Sequence, residues 1–168
     1  MVAHITRLGV GLLLLSASTV SLARNEDFDL IGSGTGLDRS VSAAGVITGE
    51  LKGRSTLLGV FTGVVVHSFK NNHGDFEGSG FLRALNGDVL RFNHKGKLDT
   101  EQVPMDLKGS FEVTGGTGAF ESASGKVKLT GRNFGHGIVE YSFEGKLSFD
   151  DDNEDEDDSA GVRAPVIR

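Results

Sequence analysis

The sequence predicts an all-β protein, a single eight-stranded antiparallel up-and-down β-barrel. Apolar and polar residues alternate along most of the chain, as they do in half-buried strands. Glycine accounts for 25 of 168 residues, and the β-favouring residues Val, Phe, Thr, Ile and Leu fill the intervals between glycines. Three short turns join successive segments, so neighbouring strands are expected to pair. Closing such a sheet into a barrel removes its exposed edges.

The alternation defines eight strands, and three of the turns between them are recognisable from their residue types. Strands are predicted at residues 28–33, 43–52, 57–70, 74–85, 88–98, 105–115, 119–131 and 136–149. Asn86 and Gly87 are predicted to form a type I′ turn, because both residue types accept the positive φ angles that it requires. Residues 71–74 form a looser reversal, and the glycines of residues 115–118 form a tight one.

The two ends of the chain differ from the barrel in composition. Residues 1–23 are typical of a signal peptide, because Arg7 precedes an apolar run that ends at a small-residue cleavage site. The alternative is that this segment is an uncleaved membrane anchor. Its apolar run, however, is shorter than the roughly 20 residues of a membrane span. Residues 24–149 are predicted to form the barrel domain. Residues 150–168 are predicted to be a disordered acidic tail, since 150–158 hold eight acidic residues in nine positions.

Composition narrows the function classes. The chain contains no cysteine, which excludes disulfides, thiol nucleophiles, zinc–thiolate sites and a lipidated cysteine. The formal net charge of −6 comes mainly from the tail, since residues 24–149 hold 15 acidic and 14 basic side chains. No basic patch interleaved with aromatic residues is present, so we expect no nucleic-acid partner. The protein is expected to be exported, periplasmic or extracellular, with no stable membrane insertion after signal cleavage.

The apolar faces of the strands are expected to point into the barrel. Eight strands enclose an interior that is either packed by side chains or holds one small ligand. The residues expected to line a ligand site are Phe61, His67, Phe92, His94, Tyr141 and Phe143. The aromatic rings would supply contact area, and the histidines would orient the ligand or move a proton. In the alternative interpretation, His67, His94 and Tyr141 are ordinary residues of a packed core or of the barrel rim.

The sequence predicts neither a metal site nor a cofactor. The histidines His67, His73, His94 and His136 are separated by 6, 21 and 42 residues, which matches no compact ligand motif. The acidic run lacks the glycine and the final glutamate of a calcium-binding EF-hand loop, so it predicts only weak cation binding.

One segment carries a family resemblance. Residues 111–121 (Phe-Glu-Val-Thr-Gly-Gly-Thr-Gly-Ala-Phe-Glu), followed by Gly125-Lys126-Val127, resemble the GGTG/GGSG-x-F turn of the allene oxide cyclase and dirigent barrels. Residues 84–88 and 143–147 extend the likeness over about 57–149, and the chain is most similar to small exported bacterial members. The resemblance implies an eight-stranded barrel that forms homo-oligomers and holds a hydrophobic substrate in its cavity. No catalytic residue is carried over, because residues 28–51 show no counterpart of the cyclase's Glu, Asn, Ser and Pro.

Three functions are compatible with these observations. We expect a non-catalytic binding or structural module that can hold a small hydrophobic ligand. The second hypothesis is a cyclase-like or dirigent-like isomerase acting on an apolar intermediate, which requires a hollow barrel with converging polar groups. The third is a cell-envelope interaction protein that works through its outer face and the acidic run 150–158, with salt-dependent association.

Overall fold

The computed structural model describes residues 27–149, which form one closed barrel of eight antiparallel strands. The strands are β1 (Asp27–Val41), β2 (Val46–Ser55), β3 (Gly59–Phe69), β4 (Asp75–Ala84), β5 (Val89–Leu98), β6 (Met105–Gly116), β7 (Ala123–Asn133) and β8 (Ile138–Phe149). Each strand pairs with its neighbour in sequence, and β1 closes the barrel against β8 in unbroken register. The predicted fold class is therefore confirmed. The predicted signal peptide and acidic tail lie outside the described residues.

Three strands differ from their predicted bounds. Strand β1 extends to Val41 rather than ending at residue 33, because the inner positions 32, 34 and 36 are glycines and the apolar signal fades there. Strand β2 occupies Val46–Ser55 rather than 43–52, and β7 begins at Ala123 rather than 119. A 3-10 turn at Gly118–Phe120 takes up the residues before β7. The other five strands lie within two residues of their predicted bounds.

The predicted type I′ turn at Asn86–Gly87 is wrong. Gly87 has a φ of 96°, but Asn86 is not among the residues with positive φ. The Gly87 amide donates to the Ala84 carbonyl at 3.0 Å, so the loop is a type I turn followed by a left-handed glycine. Consecutive positive φ angles occur instead in the β7–β8 connection, at Gly135 (80°), His136 (51°) and Gly137 (77°).

Aromatic side chains inside the barrel lie opposite glycines on neighbouring strands. The pairs are Phe143 with Gly32, Tyr141 with Gly34, Phe61 with Gly53, Phe92 with Gly80 and Phe76 with Gly96. In each pair the ring occupies the space that a Cβ on the glycine would need. This arrangement lets a narrow barrel hold several large rings, because each ring lies across a strand that presents no side chain.

The two ends of the barrel differ in packing. The closed end consists of the connections 56–58, 85–88 and 117–122, and Asp27 and Phe149 also lie there. Phe120 is buried at this end. The adjoining half of the barrel is packed by fully buried side chains, which include Leu30, Phe61, Leu90 and Leu147. The open end consists of the loops 42–45, 70–74, 99–104 and 134–137. The half nearer this end holds the candidate site.

Candidate functional site

The half of the barrel next to the open end contains a cavity of about 120 Å³. All eight strands contribute to its wall, which is mostly apolar and includes the aromatic residues Phe69, Phe76, Phe92, Phe111, Tyr141 and Phe143. An apolar cavity of about 150 Å³ in another protein stays dry and binds benzene. The present cavity is somewhat smaller, so a ligand enclosed in it is at most about the size of a single ring.

Two glycines of the inner face, Gly36 of β1 and Gly49 of β2, lie on the cavity wall and are buried. A Cβ at residue 36 would lie 3.0 Å from Leu51 Cδ2, and one at residue 49 would lie 2.9 Å from Asp38 Oδ1, so neighbouring side chains cover both glycines. Further toward the closed end, the β1 glycines are covered by rings, and a Cβ at residue 34 would lie 2.6 Å from the Tyr141 hydroxyl oxygen. The barrel is tightly packed in one half, whereas the other half contains the cavity beside a smaller core of Phe76, Leu98 and Leu107.

Five of the six residues proposed from the sequence lie on the cavity wall: His67, Phe92, His94, Tyr141 and Phe143. Phe61 does not. It is 1% exposed in the packed half, and its ring centroid lies 6.0 Å from that of Phe143. Phe61 therefore supports the base of the cavity from beneath.

The two histidines of this group are close neighbours. Their ring centroids are 5.7 Å apart and the rings are nearly perpendicular, at 81°. Gly78 of β4 lies between them in register, opposite His67 on one side and His94 on the other. A Cβ at this position would lie 2.8 Å from the His67 Cβ. Phe76 packs against both imidazoles, with centroid distances of 5.7 Å to His67 and 6.0 Å to His94.

His94 carries an unpaired polar atom. The residue is 7% exposed, and its Nδ1 atom is buried without a hydrogen-bond partner among the described residues. Burial lowers the pKa of His94 to about 4, and the nearby charge of His67 acts in the same direction. The imidazole is therefore neutral at neutral pH. An unsatisfied buried polar group costs about 1–3 kcal/mol, which a bound molecule with a suitable group would relieve.

Asp38 is a polar residue of the cavity wall that the sequence analysis did not select. It lies in β1 beside an irregularity in register between Asp38 and Ser40, and its amide donates to the Gly137 carbonyl at 2.9 Å. Burial raises the pKa of Asp38, while the charge of His67 opposes this shift. Burial likewise lowers the pKa of His67, against the opposing charge of Asp38. A carboxyl group and an imidazole therefore influence each other at the cavity wall.

A sequence signal for Asp38 was present. Leu30 is fully buried inside the barrel, and residues two apart on a strand face the same side. Continuing that count through the glycines at 32, 34 and 36 places Asp38 on the inner face. The predicted strand ends at residue 33 and therefore stops short of Asp38.

Tyr141 is engaged with the barrel wall. Its hydroxyl donates to the Lys52 carbonyl across β1, at 3.3 Å. Burial raises the pKa of Tyr141 well above its ordinary value, so the phenol stays protonated. The hydroxyl is thereby committed to the backbone of β2, in contrast to the unpaired nitrogen of His94.

The other histidines of residues 27–149 do not line the cavity. His73 and His136 belong to the open-end loops 70–74 and 134–137. Within residues 27–149, no group of three or more His, Asp or Glu side chains is arranged to hold a metal ion. The same part of the chain contains no helix long and apolar enough to cross a membrane.

A scan against models of protein families, a search of characterised proteins and a search of solved structures found no match to this chain.

Proposed function

We propose that this protein is an exported binding module that holds a small hydrophobic molecule in the open half of its barrel. The observation that carries the proposal is the apolar cavity of about 120 Å³. Its wall includes His94, whose buried Nδ1 atom has no hydrogen-bond partner among the described residues. Export rests on the signal-peptide pattern of residues 1–23. The resemblance of residues 111–121 to cyclase and dirigent barrels supports the use of the barrel interior. That the protein forms homo-oligomers remains an expectation from the same resemblance.

The size of the cavity sets the strength of binding. Burial of apolar surface contributes about 25 cal/mol per Å², and small ligands gain about 0.3–1.5 kcal/mol per non-hydrogen atom. The seven non-hydrogen atoms of toluene correspond to about 2–10 kcal/mol on this scale. We expect a value near the middle of this interval, which is a dissociation constant in the micromolar to millimolar range. Larger molecules can bind only if part of them extends through the open end.

Filling the cavity should abolish this binding. Val65 lies on the cavity wall, whereas its neighbour Val66 is 40% exposed. We expect Val65→Phe to eliminate toluene binding, because the added ring occupies the space that toluene needs. Val66→Phe adds the same group on the outside and should leave the affinity unchanged. Isothermal titration calorimetry of toluene against the wild type and both variants measures this difference.

A second cavity-filling variant replaces the first if the first does not fold. Leu51→Phe adds volume to the same wall from β2 and should have the same effect if Val65→Phe fails to fold. Absence of toluene binding by the wild type would contradict the proposal. Equal binding by the wild type and a folded cavity-filling variant would place the site elsewhere.

The second candidate is an isomerase of the cyclase or dirigent type. It is favoured by the position of Asp38 and His67 on the same apolar wall, since a carboxyl group and an imidazole can exchange protons with a substrate. The two candidates differ in turnover. A binding module releases its ligand chemically unchanged, whereas an isomerase releases a rearranged product.

A further inference from the structure

Four aromatic side chains and one unpaired nitrogen determine what the cavity can recognise. The ring of Phe111 lies 4.9 Å from that of Phe92 and 5.6 Å from that of Phe143, and Phe76 packs against the histidine pair. Such surfaces favour a flat ring or a compact apolar body. His94 also lies on the cavity wall, and its Nδ1 atom is buried without a hydrogen-bond partner among the described residues.

We infer that the ligand is a neutral, ring-sized molecule with one hydroxyl group, and that the His94 ring turns on binding so that Nδ1, which is buried away from the open space of the cavity, forms a hydrogen bond with that hydroxyl. This inference rests on the proposed function and adds the chemical class of the ligand. A neutral imidazole has one nitrogen that donates and one that accepts a hydrogen bond. A hydroxyl group both donates and accepts, so it can pair with Nδ1 in either tautomer of His94. A pure hydrocarbon leaves this nitrogen unsatisfied.

The groups around the cavity disfavour ligands that carry a charge. Asp38 is the acidic residue on the wall, and His67 and His94 both have lowered pKa values. An anionic ligand would therefore meet a carboxyl group and no cation. An ammonium group would have Asp38 as a partner, but burying a charged group in a mostly apolar cavity costs far more than burying a hydroxyl.

A matched series of four probes tests the inference: toluene, benzyl alcohol, benzylamine and benzoate, each with one phenyl ring. We expect benzyl alcohol to bind the wild type about tenfold more tightly than toluene, because it pairs with a buried atom that is otherwise unsatisfied. Benzylamine and benzoate should bind more weakly than benzyl alcohol. Titration calorimetry at neutral pH provides the four affinities.

Variants of His94 test which residue is responsible. His94→Phe retains a ring of similar size and should remove the difference between the affinities of benzyl alcohol and toluene. His94→Leu should do the same if the first variant fails to fold. His73→Phe, a change at an exposed position in the 70–74 loop, should retain the preference for the alcohol.

The outcomes separate this inference from the proposed function. Equal affinities of toluene and benzyl alcohol for the wild type would overturn the inference and leave the proposed function intact. Tightest binding of benzylamine, lost in Asp38→Asn, would make Asp38 the selecting group and also overturn it. Failure of all four probes to bind would overturn both proposals.

Discussion

Replacement of Phe143 by alanine is expected to lower the free energy of unfolding by about 3–5 kcal/mol. Phe143 is 4% exposed and lies where the packed half of the barrel meets the cavity. Its ring packs against Phe61 and Phe111 and is stacked on Tyr141 at an interplanar angle of 17°. Truncation removes these contacts and enlarges an existing cavity. Urea unfolding followed by circular dichroism measures the loss, and Phe134→Ala, at a 41% exposed position, should cost less than about 1 kcal/mol.

A double-mutant cycle of Gly32 and Phe143 tests whether the Phe143 ring depends on the glycine opposite it. A Cβ at residue 32 would lie 2.6 Å from Cε2 of Phe143 and 2.7 Å from the Arg54 carbonyl oxygen. Gly32→Ala should therefore destabilise the wild type by about 1–3 kcal/mol. It should cost less in the Phe143→Ala background, where one of the two obstacles is gone. The pairing of ring and glycine would be contradicted if the losses of unfolding free energy in the two single variants add up to the loss in the double variant to within about 0.5 kcal/mol.

The stability of the protein should fall at mildly acidic pH because of His94. The folded state lowers its pKa from 6.5 to about 4, so the unfolded chain binds the proton more strongly between these values. The stabilisation is complete above pH 6.5 and is lost as the pH falls toward 4, by about 3 kcal/mol in total. The lowered pKa of His67 acts in the same direction. The raised pKa of Asp38 acts in the opposite direction, above its ordinary value of 3.8.

Comparison with His94→Leu isolates this contribution. Unfolding free energies of both proteins, measured by urea between pH 4 and 7.5, should diverge as the pH falls, with the wild type losing more stability. Nuclear magnetic resonance titration of the His94 ring protons should show an inflection near pH 4. Parallel stability curves, or an inflection near 6.5, would contradict the neutral, buried imidazole on which ligand selection depends.

The architecture could be predicted from the sequence because it depends on local patterns. Alternation along a segment such as Ile138–Phe149 shows which residues face inward, and sequential turns leave few ways to pair the strands. The turn at Asn86 was predicted with the wrong geometry. Its loop has three residues rather than two, which changes the φ angle required of Asn86.

The candidate site could be predicted only in part. The inward positions of His67 and His94 follow from alternation, but their proximity depends on Gly78 between them in register. Asp38 was missed because three inner glycines interrupt the apolar pattern that leads to it. Whether the barrel is hollow depends on how rings such as Phe143 lie across glycines of other strands. That information resides in strand register, which no single segment contains.

The most direct test of the account is a nuclear magnetic resonance experiment on protein labelled at its leucine and valine methyl groups, with toluene as the probe. Intermolecular NOEs are predicted from toluene to Leu51, Val65, Leu129 and Val139, whose side chains line the cavity. None is predicted to Leu90 or Leu147, which are fully buried in the packed half. NOEs confined to the exposed Val66, or the absence of any NOE at saturating toluene, would contradict a ligand site inside the barrel.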